Sequence, residues 1–139
     1  MTTIIQAAAQ DLDEIMYIDG EVIGDTSRRS YLANAIELGG CISAREGDEM
    51  IGFLLYDTHF FNCSFISLVI VSPSKRRKGY ASMMLDFMVR ISPTAKVFSS
   101  TNRSNGSMQK VFAANGFIQS GIVENLDEGD PELIYFKSK

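Results

Sequence analysis

The chain is poor in the residues that build metal sites, disulfide frameworks and rigid linkers: one histidine, two cysteines and three prolines in 139 residues. Cys41 and Cys63 stand at no metal-ligand spacing, so no metal is expected. They read as reduced thiols of a cytoplasmic protein, with a single disulfide between them as the alternative. Long apolar runs are missing too. The longest, FISLVIV at 65–71, falls far short of the roughly 20 residues that cross a bilayer, and MTTIIQAAAQ lacks the basic and apolar regions of a signal peptide. A membrane role is not expected. Positive charge is outweighed as well. The net charge of −4 and a pI near 4.9 argue against general binding to nucleic acid or anionic lipid. Linkers, repeats and low-complexity tracts are absent, so residues 1–139 are expected to form one domain.

What remains is a folded globular composition, 45% hydrophobic and 22% charged, in which strand-like and helix-like pieces alternate. Thr2–Ala7 reads as a strand and Asp11–Asp19 as a helix broken by Gly20–Gly24. Ser27–Leu38 reads as a second helix, ended by Gly39-Gly40. Three strands follow, Cys41–Arg45, Met50–Tyr56 and Phe65–Val71, with turns at EGDE (46–49) and near His59–Asn62. In the third, Phe65, Val69 and Val71 alternate with Ile66, Leu68 and Ile70. Both faces are apolar, which predicts a central strand covered on both sides. Gly79–Ile91 is helical by the spacing of Ala81, Met84, Leu85 and Met88, and Pro93 forbids continuation. Lys96–Ser100 is a strand. Ser104–Ala114 is a helix capped by Ser104, and Phe117–Val123 and Leu133–Lys137 are the last strands. The order β-α-α-β-β-β-α-β-α-β-β predicts an α/β fold: one mixed sheet with helices on both faces. Helix-linked strands are expected parallel and hairpin-linked strands antiparallel.

One stretch stands out against the acidic background. KRRKGYA at 75–81 puts four consecutive cations ahead of a glycine, between a strand and a helix. A helix start exposes amides without internal acceptors and carries the positive end of the helix dipole. Gly79 allows close approach to the backbone. Together these make a site for phosphate or pyrophosphate. A P-loop would need GxxxxGK[ST] and a dinucleotide fold GxGxxG; neither occurs. A solvated basic loop and a nucleic-acid patch are the competing readings of the four cations.

The segment also fits [Q/R]-x-x-G-x-[G/A], as Arg76-Arg77-Lys78-Gly79-Tyr80-Ala81, preceded by Val71-Ser72-Pro73 as V-x-P. Further on, Asn105…Phe112…Gly116-Phe117 is similar to N-x6-Y-x3-G-F. These motifs, covering about 66–117, resemble the acetyl-CoA signature of the GNAT family of N-acetyltransferases, and the element order matches along the whole chain. The resemblance implies acetyl-CoA as co-substrate. Its pyrophosphate would lie on the amides of Arg77–Ser82 (Arg77, Lys78, Gly79, Tyr80, Ala81, Ser82) with Arg76 alongside. Its pantetheine arm would pair with the backbone of Val69, Ile70 and Val71, and Asn105 would hydrogen-bond that arm. Asn105 as a plain helix terminus is the rival. A homodimer would also be in keeping with the family.

Acetyl transfer needs a neutral amine, a polarised thioester carbonyl and a stabilised thiolate. The family's tyrosine acid falls here on Phe112, which has no transferable proton, and a glutamate base used by some relatives falls on Ser100. Tyr135 and Glu21 are the substitute catalytic candidates, with Asp57 and His59 behind them. The acidic residues Glu124, Asp127, Glu128, Asp130 and Glu132 would attract a cationic amine or form a solvated hairpin tip. The expected activity is acetyl transfer to a primary amine of a small molecule, peptide or protein. The alternative is a catalytically weak coenzyme A-binding module acting as sensor or scaffold.

Overall fold

The computed structural model describes residues 1–139. Along the chain come β1 (Thr2–Gln6), α1 (Leu12–Ile23), α2 (Arg29–Glu37), β2 (Cys41–Glu46), β3 (Glu49–Phe60), β4 (Cys63–Val71), α3 (Tyr80–Ile91), β5 (Lys96–Asn102), α4 (Gly106–Ala114), β6 (Ile118–Val123) and β7 (Glu132–Ser138). This is the order expected, with boundaries shifted by a residue or two except at the ends of α1 and β3. The seven strands form one mixed sheet in the order β1-β2-β3-β4-β5-β7-β6. The chain divides into two compact units, Met1–Tyr56 with Leu68–Phe87, and Asp57–Ser67 with Met88–Lys139.

In the first unit, the apolar stripes of α1 and α2 bury Ile15, Met16, Ile18, Leu32 and Ile36 in one cluster with Cys41, Met50, Phe53, Leu55 and Ile70. Strict alternation would put Met50 on the opposite face from Phe53. A bulge prevents this: Ala44 faces Gly52 and Arg45 faces Met50, so Ile51 is an extra residue and the strand's facing resets there. Gly52 is required by close approach. A Cβ there would stand 2.7 Å from the Ile70 carbonyl oxygen and 3.2 Å from Met84 Cε.

Several expectations are corrected in this unit. β1 and β2 are joined through helices yet pair antiparallel, Thr2 opposite Glu46 through Gln6 opposite Ile42. The connection contains two helices, which reverse the chain once more than a single-helix crossover does. Gly20 does not break α1. The helix runs to Ile23 and ends at Gly24, whose φ of 84° closes it with an N–H bond to the Gly20 carbonyl. β3 runs to Phe60 rather than Tyr56, because the turn is a tight one at Phe61-Asn62, with φ of 51° and 60°. β4 is central in order, but only partly covered. Ile66 and Ile70 are buried, whereas Phe65, Val69 and Val71 are half-buried.

In the second unit, Ser64–Ile66 of β4 pair parallel with Val97–Ser99 of β5, as expected for strands joined by one helix. β7 pairs antiparallel with both β5 and β6, a bulge at Ser120 interrupting the latter. Phe112 of α4 is fully buried, stacked on Tyr135 of β7 with centroids 4.7 Å apart and packed against Phe117 at 5.4 Å. The hydroxyls of Ser64 and Ser92 satisfy each other at 2.8 Å in the interior.

The loop after α1 is tied down by an ion pair. Asp19 is fully buried on α1, and Arg28 donates to both its carboxylate oxygens, through Nη2 at 2.5 Å and Nε at 3.1 Å. Removing one partner of a buried pair strands the other charge, which is costlier than never having the pair. Arg28→Ala is therefore expected to destabilise the protein by about 3–5 kcal/mol, read from the urea unfolding midpoint. A loss below about 1 kcal/mol, the range of exposed pairs, would contradict this account.

Candidate functional site

The strand-to-helix passage after β4 is tightly built. The Ser72 N–H donates to the Ile51 carbonyl, and a single 3-10 turn at Pro73–Lys75 follows, with the Lys75 N–H bonded to the Ser72 carbonyl. Arg77 and Gly79 both have left-handed backbones, φ 64° and 85°. Nothing lies within 4 Å of where a Gly79 side chain would begin, so the backbone is open there. The first bond of α3 runs from the Met83 N–H to the Gly79 carbonyl. The amides of Tyr80 and Ala81 precede it and have no helical acceptor.

The four cations do different things. Lys75 Nζ pairs with Glu49 at 3.4 Å, and Arg76 Nε donates to the Val71 carbonyl at 3.2 Å. Arg77 and Lys78 are exposed. Tyr80 anchors the helix start, its hydroxyl donating to Glu46 Oε2 at 3.1 Å. Glu46 also accepts from Thr2 Oγ1 at 2.6 Å and pairs with the Met1 ammonium at 2.8 Å. The ammonium, then Thr2, then Tyr80 hold its carboxyl down at about 2. The Tyr80 phenol is pushed up, first by desolvation and then by Glu46. Nothing in the sequence pattern marked Glu46, which lies 34 positions from Tyr80.

Beside this loop, within the same unit, lies a cavity of about 490 Å³ lined by Asp13, Glu14, Tyr17, Glu21, Glu49 and Ser72 among others. Three of its carboxylates already face cations: Asp13 with Arg29 at 3.4 Å, Glu14 with Arg45 at 2.6 Å, and Glu49 with Lys75. Glu21 differs. It is exposed and accepts a hydrogen bond from Ser72 Oγ at 3.2 Å, with no cation paired to it.

The remaining expected residues belong to the second unit. Ser104 does not cap α4; its hydroxyl donates to Asp130 at 2.6 Å. Asn105 is the cap, its Oδ1 accepting the Met108 N–H at 3.1 Å. Ser100 donates to Glu132 Oε2 at 2.6 Å, so a carboxylate stands next to a position where the sequence offered only a hydroxyl. Tyr135 is buried against Phe112 as a core side chain. Asp57 and His59 lie on β3, not in a turn; the His59 N–H donates to Asp57 Oδ1 at 2.9 Å and the ring is exposed. Within the acidic loop, Asp127 accepts from Asn102 and Asp130 from Ser104, which ties both to local structure. Both cysteines are free thiols. Burial, and then Asp11, push the Cys41 thiol up to about 12, leaving it inert.

The family model described as "Acetyltransferase (GNAT) family" matches residues 6–117. The chain belongs to the GNAT acetyltransferase family. A solved GNAT-family acetyltransferase from Bacillus cereus is 58% identical, with a TM-score of 0.97 over 100% of this chain and 98% of that one. Two distant structures share the fold. The ribosomal-protein-S18-alanine N-acetyltransferase of Escherichia coli is 16% identical, with a TM-score of 0.83 over 99% of this chain and 94% of that one. The yncA protein of Salmonella typhimurium, solved with its cofactor acetyl-CoA, is 15% identical, with a TM-score of 0.76 over 99% and 93%. Among curated proteins none matches. No helix is long and apolar enough to cross a membrane.

Acetyl transfer from acetyl-CoA is general to GNAT proteins, and the position of interest for that chemistry is Phe112. Its ring is fully enclosed by Phe117 and Tyr135. A hydroxyl added there enters a packed apolar interior. Phe112→Tyr is expected to lower stability by about 1–3 kcal/mol, measured by urea denaturation. An unchanged midpoint would mean that the new hydroxyl has found a polar partner or solvent.

Proposed function

We propose that residues 1–139 act as one N-acetyltransferase domain that moves the acetyl group of acetyl-CoA to a primary amine. Family membership supports the acetyl donor. The observation that carries the cofactor assignment is the open backbone at Gly79, where two left-handed residues and the start of α3 meet the exposed Arg77 and Lys78. A pyrophosphate suits that combination of amides, helix dipole and cations. The backbone of Val69, Ile70 and Val71 continues from β4 into the same loop and is suited to pair with the pantetheine arm, with Arg76 already donating to the Val71 carbonyl. A cytoplasmic setting is in keeping with the two free thiols.

The acceptor reading rests on the cavity beside Ser72. A cationic amine of a small molecule, peptide or protein would find there one carboxylate, Glu21, that no internal cation neutralises. We assign Glu21 to acceptor binding rather than to the thioester. Burial of Tyr135 removes it as a freely presented acid, so the thiolate leaves without a dedicated tyrosine donor. A second reading is favoured by that same fact: Phe112 offers no proton, and a coenzyme A sensor would need none.

Calorimetry with acetyl-CoA, followed by thiol release over an amine panel, separates the two. The transferase reading expects both binding and release; binding without release for any amine selects the sensor. Gly79→Asp strains the backbone and places a negative charge at the proposed phosphate. It is expected to weaken cofactor binding at least tenfold, about 1.4 kcal/mol, and normal binding would remove the phosphate assignment. Glu21→Gln is expected to raise the acceptor KM several-fold while leaving acetyl-CoA affinity unchanged. A fall in cofactor affinity instead would move Glu21 to the other substrate.

A further inference from the structure

An amine that takes up an acetyl group sheds a proton as its nitrogen bonds to carbon, and a side chain placed to accept that proton speeds the step. A carboxylate suited to this is held in place, partly shielded from water and free of an internal cation. The buried and half-buried carboxylates are Asp11, Asp19, Glu46, Asp57, Asp130 and Glu132. Asp11, Asp19 and Glu46 pair with Arg45, Arg28 and the Met1 ammonium. Asp130 gives one oxygen to the Ser104 amide and the other to its hydroxyl. Asp57 takes the His59 amide within its own strand. Glu132 has no ion pair. Its Oε2 accepts from Ser100 Oγ at 2.6 Å, and Oε1 is left free.

The surroundings of Glu132 are apolar. Leu133 and Tyr135 are buried on one side of β7, so Glu132, Ile134 and Phe136 share the other. Asn102, Ser100 and Phe98 of β5 stand opposite them in that order, and Val123 of β6 stands opposite Glu132. Asn102 spends its amide on Asp127 and on the Asp130 carbonyl, so Ser100 alone holds the carboxylate. Lys96 is the one cation that β5 and β7 present on this face, six residues from Asn102, or about 20 Å at 3.3 Å per residue. A lone carboxylate in such a setting attracts a proton-bearing nitrogen and has no neighbouring charge to satisfy it.

The β4–β5 ladder brings this pair to the place where the thioester is expected. It runs only from Ser64 opposite Val97 to Ile66 opposite Ser99, where Ser99 Oγ donates to the Ile66 carbonyl at 2.8 Å. Ser100 is the next residue of β5. With the phosphates at Gly79, the pantetheine arm runs back along Val71, Ile70 and Val69, and its thioester end is aimed down β4 toward Ile66.

Resting on the transferase reading above, we propose that Glu132 is the proton acceptor of the transfer and that Ser100 positions it. The lone pair of a neutral amine forms the bond to the acetyl carbon. The carbon–sulfur bond breaks, and its electron pair leaves on the thiolate. The surplus proton on nitrogen passes to Glu132 Oε1 and from there to solvent.

Thiol release from acetyl-CoA tests this on the full chain, with a polyamine, free lysine and a peptide bearing a free amino terminus as acceptors. Calorimetry with acetyl-CoA and urea unfolding accompany each variant. Glu132→Gln keeps the side chain's size and an oxygen for Ser100 but takes up no proton. It is expected to lower kcat about a hundredfold, with acceptor KM, acetyl-CoA affinity and unfolding midpoint unchanged; a purely structural role would spare kcat or move the midpoint. Ser100→Ala is expected to lower kcat several-fold at unchanged acceptor KM, and Ser100→Thr, which keeps the hydroxyl, to restore it. A kcat indifferent to Glu132→Gln overturns the proposal and leaves the transferase reading standing. So does a loss confined to acceptor KM, which would make Glu132 a binding charge. A native chain that binds acetyl-CoA and releases no thiol with any of these amines overturns the proposal together with that reading.

Discussion

The amides of Tyr80 and Ala81 at the start of α3 have no helical acceptor, and several contacts of the first unit fix where they stand. A helix start ordinarily acquires a capping side chain or water. Here the strand that precedes it is fixed by the Ser72 bond to Ile51, the loop is tightened by two left-handed residues, and the helix itself is tethered through Tyr80 to Glu46. The tether is a charge-assisted hydrogen bond to a carboxylate that the Met1 ammonium and Thr2 also hold. At 3.1 Å it is longer than the usual charge-assisted bond, and solvent at the half-buried Glu46 screens part of its effect. The outcome is a tethered backbone surface at the end of a central strand, beside the exposed Arg77 and Lys78.

Under the proposed cofactor assignment, binding rests more on that backbone than on any one side chain. This chain makes the point by what it lacks. The position onto which the motif's tyrosine would fall is Phe112, packed between Phe117 and Tyr135 as part of the core. A thiolate is a tolerable leaving group, so the demand for an acid is smaller than the demand for a placed thioester and a neutral amine. Glu21 at the cavity wall is the charged group left without an internal cation, which shifts the interest of the site from thiol to acceptor.

Element order, the basic loop and the strand-to-helix turn were legible in the sequence because local chemistry writes them: periodicity, glycine at a left-handed position, proline at a strand end. Asn105 was legible as a polar residue at a helix start, yet the family motif gave it to the cofactor and the structure shows its carbonyl on the Met108 amide. The failures share a cause. That β1 and β2 run antiparallel depends on two helices counted together. That His59 lies in a strand depends on how far a hairpin is zipped. The pairings Glu46 with Tyr80, Ser100 with Glu132 and Asp19 with Arg28 join residues that no spacing rule connects. The ring contacts among Phe60, Phe65, Phe98 and Phe136 were hidden for the same reason: they come from four strands, and only the register aligns them.

Gly52 shows how far from the Pro73–Gly79 loop its placement is decided. The backbone of β3 passes so close to Ile70 and Val71 that even one methyl would meet the Ile70 oxygen, and β4 runs straight from there into Pro73 and the cations beyond. Position 52 thus helps to set where the loop begins. Any larger side chain there would press at once on the Ile70 carbonyl, and so on the strand that leads to the turn, and on the buried methyl of Met84.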